Sequence, residues 1–187
     1  MIRLQEPSPA LHAAWLAAMR EFDGAVLHGF STFGFEVEEL ATEAGFARWL
    51  ERERRQQTEG IDGFVPATAW WIVDDEASGT VLGSIHLRHE LNAWLLAEGG
   101  HIGYGVRPSA RGRGVASEAL RLVLERAAAM GIERALLCCE ADNAASRATI
   151  VGAGGELEDV RTSAEHGAYE RYWIALDRER SAPRSNP

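Results

Sequence analysis

Arg111, Gly112, Arg113 and Gly114 stand together inside the segment Val106–Ala116, which reads VRPSARGRGVA. Glycines alternating with arginines, just before a run of helical periodicity, suit the capture of an anion. The first backbone N–H groups of a helix have no partner within it, and they lie at the positive end of its dipole. Gly112 and Gly114 keep side chains out of a close approach, and Arg111 and Arg113 add charge. A diphosphate is the natural ligand for such a device.

The segment admits other readings. The GxxxxGK[ST] pattern of a P-loop is absent. Gly112-x-Gly114-x-x-Ser117 nearly matches the GxGxxG/A dinucleotide fingerprint, with Glu140 at about the spacing of a ribose-binding acid. Ser117 in the third position and the distance from the preceding strand count against that match. A plain Gly-rich surface turn is the third possibility.

The rest of the chain bounds the chemistry. The 187 residues are 46% apolar and 25% charged, enough for one sizeable core and one domain over residues 1–176. A net charge of -9 argues against binding to a nucleic-acid backbone and permits basic or amine-bearing partners. Arg107, Arg111 and Arg113 make a local positive patch in this acidic chain. No apolar run reaches the ~20 residues of a membrane span, and the N-terminus lacks a secretory pattern, so a cytoplasmic protein is expected. The richness in Ala, Arg and Gly suggests a bacterial source. Cys138 and Cys139 are adjacent and read as reduced thiols. With no CxxC pair or clustered His beside them, no metal site is expected.

The elements that must position the glycine loop follow from periodicity. Strands are predicted at Ile2–Leu4, Ala69–Asp74, Thr80–Arg88, His101–Val106, Arg134–Cys139, Glu156–Val160 and Tyr169–Leu176. Helices are predicted at Leu11–Phe22, Glu38–Gln57, Arg113–Met130 and Asn143–Val151, with a short helical segment at Leu91–Ala97. Asp74–Gly79 suits a hairpin turn, Gly29–Phe35 reads as a loop, and Asp177–Pro187 reads as a disordered tail. This alternation implies an α/β (α+β) fold, one mixed sheet with helices on both faces. The six tryptophans are expected in the core; His86, His89 and Glu90, after the third strand, read as solvated loop residues, with a place lining the acceptor side as the alternative.

The pattern resembles the GNAT superfamily of N-acetyltransferases. Its acetyl-CoA motif, R/Q-x-x-G-x-G/A after a strand ending in Val-x-Pro, is matched by Arg111-x-x-Gly114-x-Ala116 after Val106-Arg107-Pro108. The stretch HIGYGVRPSARGRGVASEAL is similar to the ribosomal-protein N-acetyltransferase branch and its bacterial relatives. Asn143-Ala-Ala-Ser146 followed by Gly154-Gly155 resembles the second CoA-side motif, so the similarity covers roughly His101–Gly155. The resemblance implies a central, mostly antiparallel sheet of six to seven strands, splayed in the middle. It implies acetyl-CoA as cosubstrate, its pyrophosphate on the backbone amides of Gly112, Arg113, Gly114, Val115, Ala116 and Ser117. It places the pantetheine arm along the strand edge at Tyr104 and Val106, hydrogen-bonded by Asn143, with Ser146 or Arg147 near it or near the phosphates. A homodimer is possible by the same analogy.

Acetyl transfer to an amine needs a deprotonated amine, a polarised thioester carbonyl and a protonated leaving thiolate. Backbone N–H groups near Tyr104–Val106 could polarise the carbonyl. His101 and Glu140 are the candidate bases; a strand-capping role for His101 and a helix-capping or ion-pair role for Glu140 are the alternatives. Many relatives carry a thiolate-protonating Tyr seven residues after the Asn, where this chain has Ile150. Ser146, Tyr104, Tyr172 or water would have to serve instead, or the thiol leaves unaided. The expected activity is direct transfer to a primary amine of a small molecule or a peptide N-terminus. A non-catalytic acyl-CoA-binding module is the alternative that Ile150 raises.

Overall fold

The structure, a computed structural model, describes residues 1–75, 79–164 and 167–176. The tail 177–187 and the middle of the 74–79 turn lie outside the described residues. Seven strands form: β1 (Ile2–Gln5), β2 (Ala67–Asp74), β3 (Thr80–Arg88), β4 (Ile102–Val106), β5 (Arg134–Glu140), β6 (Glu156–Ser163) and β7 (Gly167–Ala175). The helices are α1 (His12–Arg20), α2 (Val37–Leu40), α3 (Glu43–Gln56), α4 (Val115–Ala129) and α5 (Ala144–Gly152).

The strands hydrogen-bond as two antiparallel sheets, β1-β2-β3-β4 and β5-β7-β6. These are the seven strands of the expected, mostly antiparallel sheet, and its splay in the middle falls between β4 and β5. Strand alternation feeds two cores on opposite faces. Trp70 and Ile72 of β2, Ile85 and Leu87 of β3, and Ile102 and Val106 of β4 pack with the apolar stripe Val115, Ala119, Leu120, Val123 and Ala127 of α4. The same core continues under the second sheet through Ala135, Leu137, Tyr172 and Ile174. Trp71 and Val73 of β2 turn the other way, to Trp15 of α1 and to Phe46 and Trp49 of α3.

Three expectations need correction. The predicted helix Glu38–Gln57 breaks at Thr42, whose hydroxyl accepts from Gly45 N–H at 3.0 Å and caps α3. A Cβ at Gly45 would stand 2.1 Å from the Glu39 carbonyl oxygen, so α2 can fold back against α3 only over a glycine. His86 is not in a loop: it lies within β3 and is buried. Trp94 is half exposed rather than in the core. Among the described residues no helix is long and apolar enough to cross a membrane, and no group of three or more metal-binding side chains gathers.

Candidate active site

The glycine loop is anchored from behind. Arg107, next after β4, donates through Nε and Nη2 to Glu21 at the end of α1, and through Nη1 to the Val81 carbonyl at 3.1 Å. Ser109 adds its amide and hydroxyl to the same carboxylate, at 3.2 and 2.8 Å. The Arg107 hydrogen bond, helped by Ser109, holds the Glu21 carboxyl down at about 2. Arg107 is thus a strut rather than part of an open positive patch. A folded pKa below the ordinary value contributes stability above the ordinary carboxylate range, lost as pH falls toward about 2. Glu21→Gln should therefore lower Tm at pH 7, and the difference from wild type should shrink in melts run down to pH 3.

Beyond one 3-10 turn at Pro108–Ala110, the chain passes Gly112 at φ 73° and Gly114 at φ 75° into α4. A Cβ at either glycine would meet nothing within 4 Å. Their need is for left-handed backbone, not for space. The first amide of this helix start that bonds back is Glu118, to Gly114 at 3.0 Å. Among the described residues no hydrogen bond uses the N–H of Gly112, Arg113, Gly114, Val115, Ala116 or Ser117. Arg111 closes the side of this socket: Nε donates to the Val106 carbonyl at 3.1 Å, and the guanidinium sits 5.5 Å from the Phe22 ring centre. Arg113 is exposed, 4.0 Å from Asp74.

β4 and β5 part immediately after one double contact. His101 N–H donates to the Leu136 carbonyl at 2.7 Å, and Leu136 N–H donates to His101 Nδ1 at 2.9 Å. Past it, no hydrogen bond joins the two strands among the described residues. Because Arg88 N–H meets the His101 carbonyl and Arg107 N–H meets Leu82, alternation turns residues 101, 103, 105 and 107 toward β3. The peptide groups of Ile102, Tyr104 and Val106 therefore face the gap. The outer face of β4 at Gly103 and Gly105 carries the loop after α1. A Cβ on Gly105 would lie 2.4 Å from the His28 carbonyl oxygen, and one on Gly29 2.5 Å from Tyr104 Cα.

His101 is buried, with its Nδ1 lone pair already taken, so the neutral ring carries its proton on Nε2. Burial, aided by the Arg88 charge, pushes it down to about 4. His101→Ala strips a buried amide of its acceptor, a loss of about 1–3 kcal/mol. The expected result is a lower Tm with the shape of any pH–rate profile unchanged; disappearance of a limb from that profile would make the imidazole a proton carrier.

Across the gap, Asn143 caps α5 by accepting from Ser146 N–H at 3.0 Å. Its Oδ1 is thereby committed, which leaves its amide protons for a ligand. Ser146 Oγ lies 2.8 Å from the Tyr104 hydroxyl, so this pair bridges β4 to α5. Burial raises the Tyr104 phenol above its ordinary range. Arg147 is held by Glu170 at 2.7 and 2.9 Å and by the Ala141 carbonyl, which fixes α5 to β7 and occupies the guanidinium. Ile150 is buried in the core beneath α4. Glu140 is exposed at the end of β5, on the rim of a hollow lined also by Ala141, Asp142, Gly167 and Ala168. Burial pushes the Cys138 thiol up to about 12 and also raises Cys139, so neither is a thiolate near neutrality. The Tyr104–Ser146 pair and the Glu21 strut had no local signal in the sequence; their partners are 42 and 86 residues apart.

No curated protein matches the chain. Solved structures do. Mycobacterium smegmatis RimJ in complex with CoA-disulfide superposes with a TM-score of 0.71 at 18% identity, over 93% of this chain and 81% of that one. The Salmonella typhimurium acetyl transferase that modifies the N-terminal serine of a 50S ribosomal subunit protein gives 0.67 at 17% identity, over 94% and 95%. The microcin C7 self-immunity acetyltransferase MccE, in complex with acetyl-CoA and AMP, gives 0.65 at 17%, over 94% and 92%. At these identities the likeness establishes the fold. The profile of the Acetyltransferase (GNAT) domain matches residues 3–156, most of the sequence, and the chain belongs to the GNAT acetyltransferase family.

Proposed function

We propose that the protein is an acetyl-CoA-dependent N-acetyltransferase that acts on a primary amine by direct transfer. The observation that carries this reading is the unengaged row of amides from Gly112 to Ser117 beside a gap between β4 and β5. The pyrophosphate sits on those amides, with Arg111 alongside. Pantetheine runs along the gap-facing peptide groups of Tyr104 and Val106 and takes a hydrogen bond from Asn143. A Tyr104–Val106 amide polarises the thioester carbonyl as the tetrahedral oxyanion develops.

His101 acts in this scheme as a positioning residue at the point where the strands part. Glu140 receives the ammonium proton, directly or through water. The Tyr104 phenol, held by Ser146, protonates the departing CoA thiolate and so replaces the tyrosine absent at Ile150. The raised cysteines speak against a ping-pong route through an acetyl-cysteine. The deciding assay is acceptor-dependent release of free CoA thiol. Release lost in Glu140→Gln supports this reading; acetyl-CoA binding without release from a broad amine panel supports the non-catalytic acyl-CoA-binding module that Ile150 raises.

A further inference from the structure

We infer that the acceptor carries a carboxylate and that Arg88 recognises it. This rests on the transfer reading above and specifies its substrate class.

Arginines near the gap are mostly matched. Arg107 has Glu21, Arg147 has Glu170, and the fully buried Arg171 has Glu158 and Asp159 at 2.8 and 2.9 Å. Two are not. Arg111 stands at the α4 socket, where an anion is already called for. Arg88, at the end of β3, reaches only the carbonyls of Gly99 and Gly100, at 3.0 and 3.1 Å, both through Nη1. No described residue accepts from its Nε or Nη2, and neither atom is walled off from solvent. Yet desolvation by the surrounding protein lowers its pKa to about 10. A half-buried guanidinium with an open fork, and with no carboxylate on it among the described residues, is matched by a bidentate carboxylate.

Its position fits the acceptor. Ser84, His86 and Arg88 project from β3 on the face away from α4, whereas Ile85 and Leu87 enter the α4 core. Arg88 is bonded to His101 and His86 is paired with Gly103, so both border the stretch of β4 where the strands part. Small neighbours flank them: Ala67 and Ala69 on β2, Gly103 on β4. His86 is buried with Nε2 unpartnered, so a second side chain on this face keeps a polar atom without a protein partner. An amine entering from this side meets the thioester at the gap, and a carboxylate on the same molecule reaches Arg88.

The test is calorimetry, with CoA present, of amines in matched pairs: free amino acids against their carboxamides, and Asp- or Glu-containing dipeptides against their Asn or Gln counterparts. Arg88→Gln keeps an amide donor for Gly99 and Gly100, and a thermal melt confirms its fold. The expected result is at least about tenfold tighter binding of the carboxylate member in wild type, with the preference lost in Arg88→Gln. Equal binding within every pair, or a preference that survives Arg88→Gln, overturns the proposal. Acetyl-CoA titration of the same samples reports separately on the cofactor socket. Its failure would overturn the transfer reading while leaving the carboxylate preference measurable.

Discussion

Gly114→Glu should weaken acetyl-CoA binding by about 100-fold in calorimetry, through two separate effects. The first is conformational. Gly114 sits at φ 75°, where a residue with a Cβ incurs about 1–3 kcal/mol of strain. The second is electrostatic. The introduced carboxylate lies at the mouth of the unengaged amides, where like charges about 4 Å apart repel by about 1–4 kcal/mol. Their sum, about 2–7 kcal/mol, is centred above the ~2.8 kcal/mol that separates affinities by about 100-fold. Gly114→Ala divides them. A Cβ there meets nothing within 4 Å, so alanine keeps the strain and omits the charge. It should lower Tm and cost about tenfold or less in affinity. Undiminished affinity in the glutamate variant would sink the socket assignment. Equal losses in the two variants would show that the loop's shape, rather than its charge, governs binding.

The parts of the fold that were legible in the sequence are those whose cause is local. The apolar stripe of α4 repeats at helical spacing, and the glycines before it need only their own backbone to take left-handed angles. That segment could be read residue by residue. AWWIV in β2 could be read as a strand but not oriented, since every residue in it is apolar and the strand feeds a core on each face. The splay of the sheet was implied by the family resemblance, but not the contact at its base, where His101 Nδ1 takes the place of a backbone acceptor for an amide 35 residues away. By residue type His101 reads as either a base or a strand cap, and only the Leu136 amide reveals its lone pair in use. The resemblance places Ser146 or Arg147 near the pantetheine arm or the phosphates; that Arg147 is also held by Glu170, 23 residues on, has no local signal. His86 and Arg88 were invisible as a pair because strand direction, helix cover and counter-ions all come from elsewhere in the chain.

Tyr104→Phe should lower kcat by about 100-fold or more while leaving the acetyl-CoA Kd within about threefold. The ring packs against the α4 core and phenylalanine keeps that packing, so the change removes little besides the hydroxyl. The phenol suits proton donation because burial raises its pKa, keeping it protonated through the neutral range. Its reach is set by the 2.8 Å contact with Ser146 Oγ on the first turn of α5. Ile150 lies one turn further along α5 and turns into the core, where no side-chain proton is on offer. Ser146→Ala should reduce kcat in the same direction but by about tenfold, since it frees the phenol without removing it. The pH dependence makes the test independent of folding. A donor with a raised pKa gives a kcat that holds up to and beyond the ordinary tyrosine range before falling. In Tyr104→Phe that alkaline fall should vanish along with most of the rate. Full kcat in Tyr104→Phe, with the alkaline limb intact, would transfer the proton to water and leave the phenol as a brace between β4 and α5.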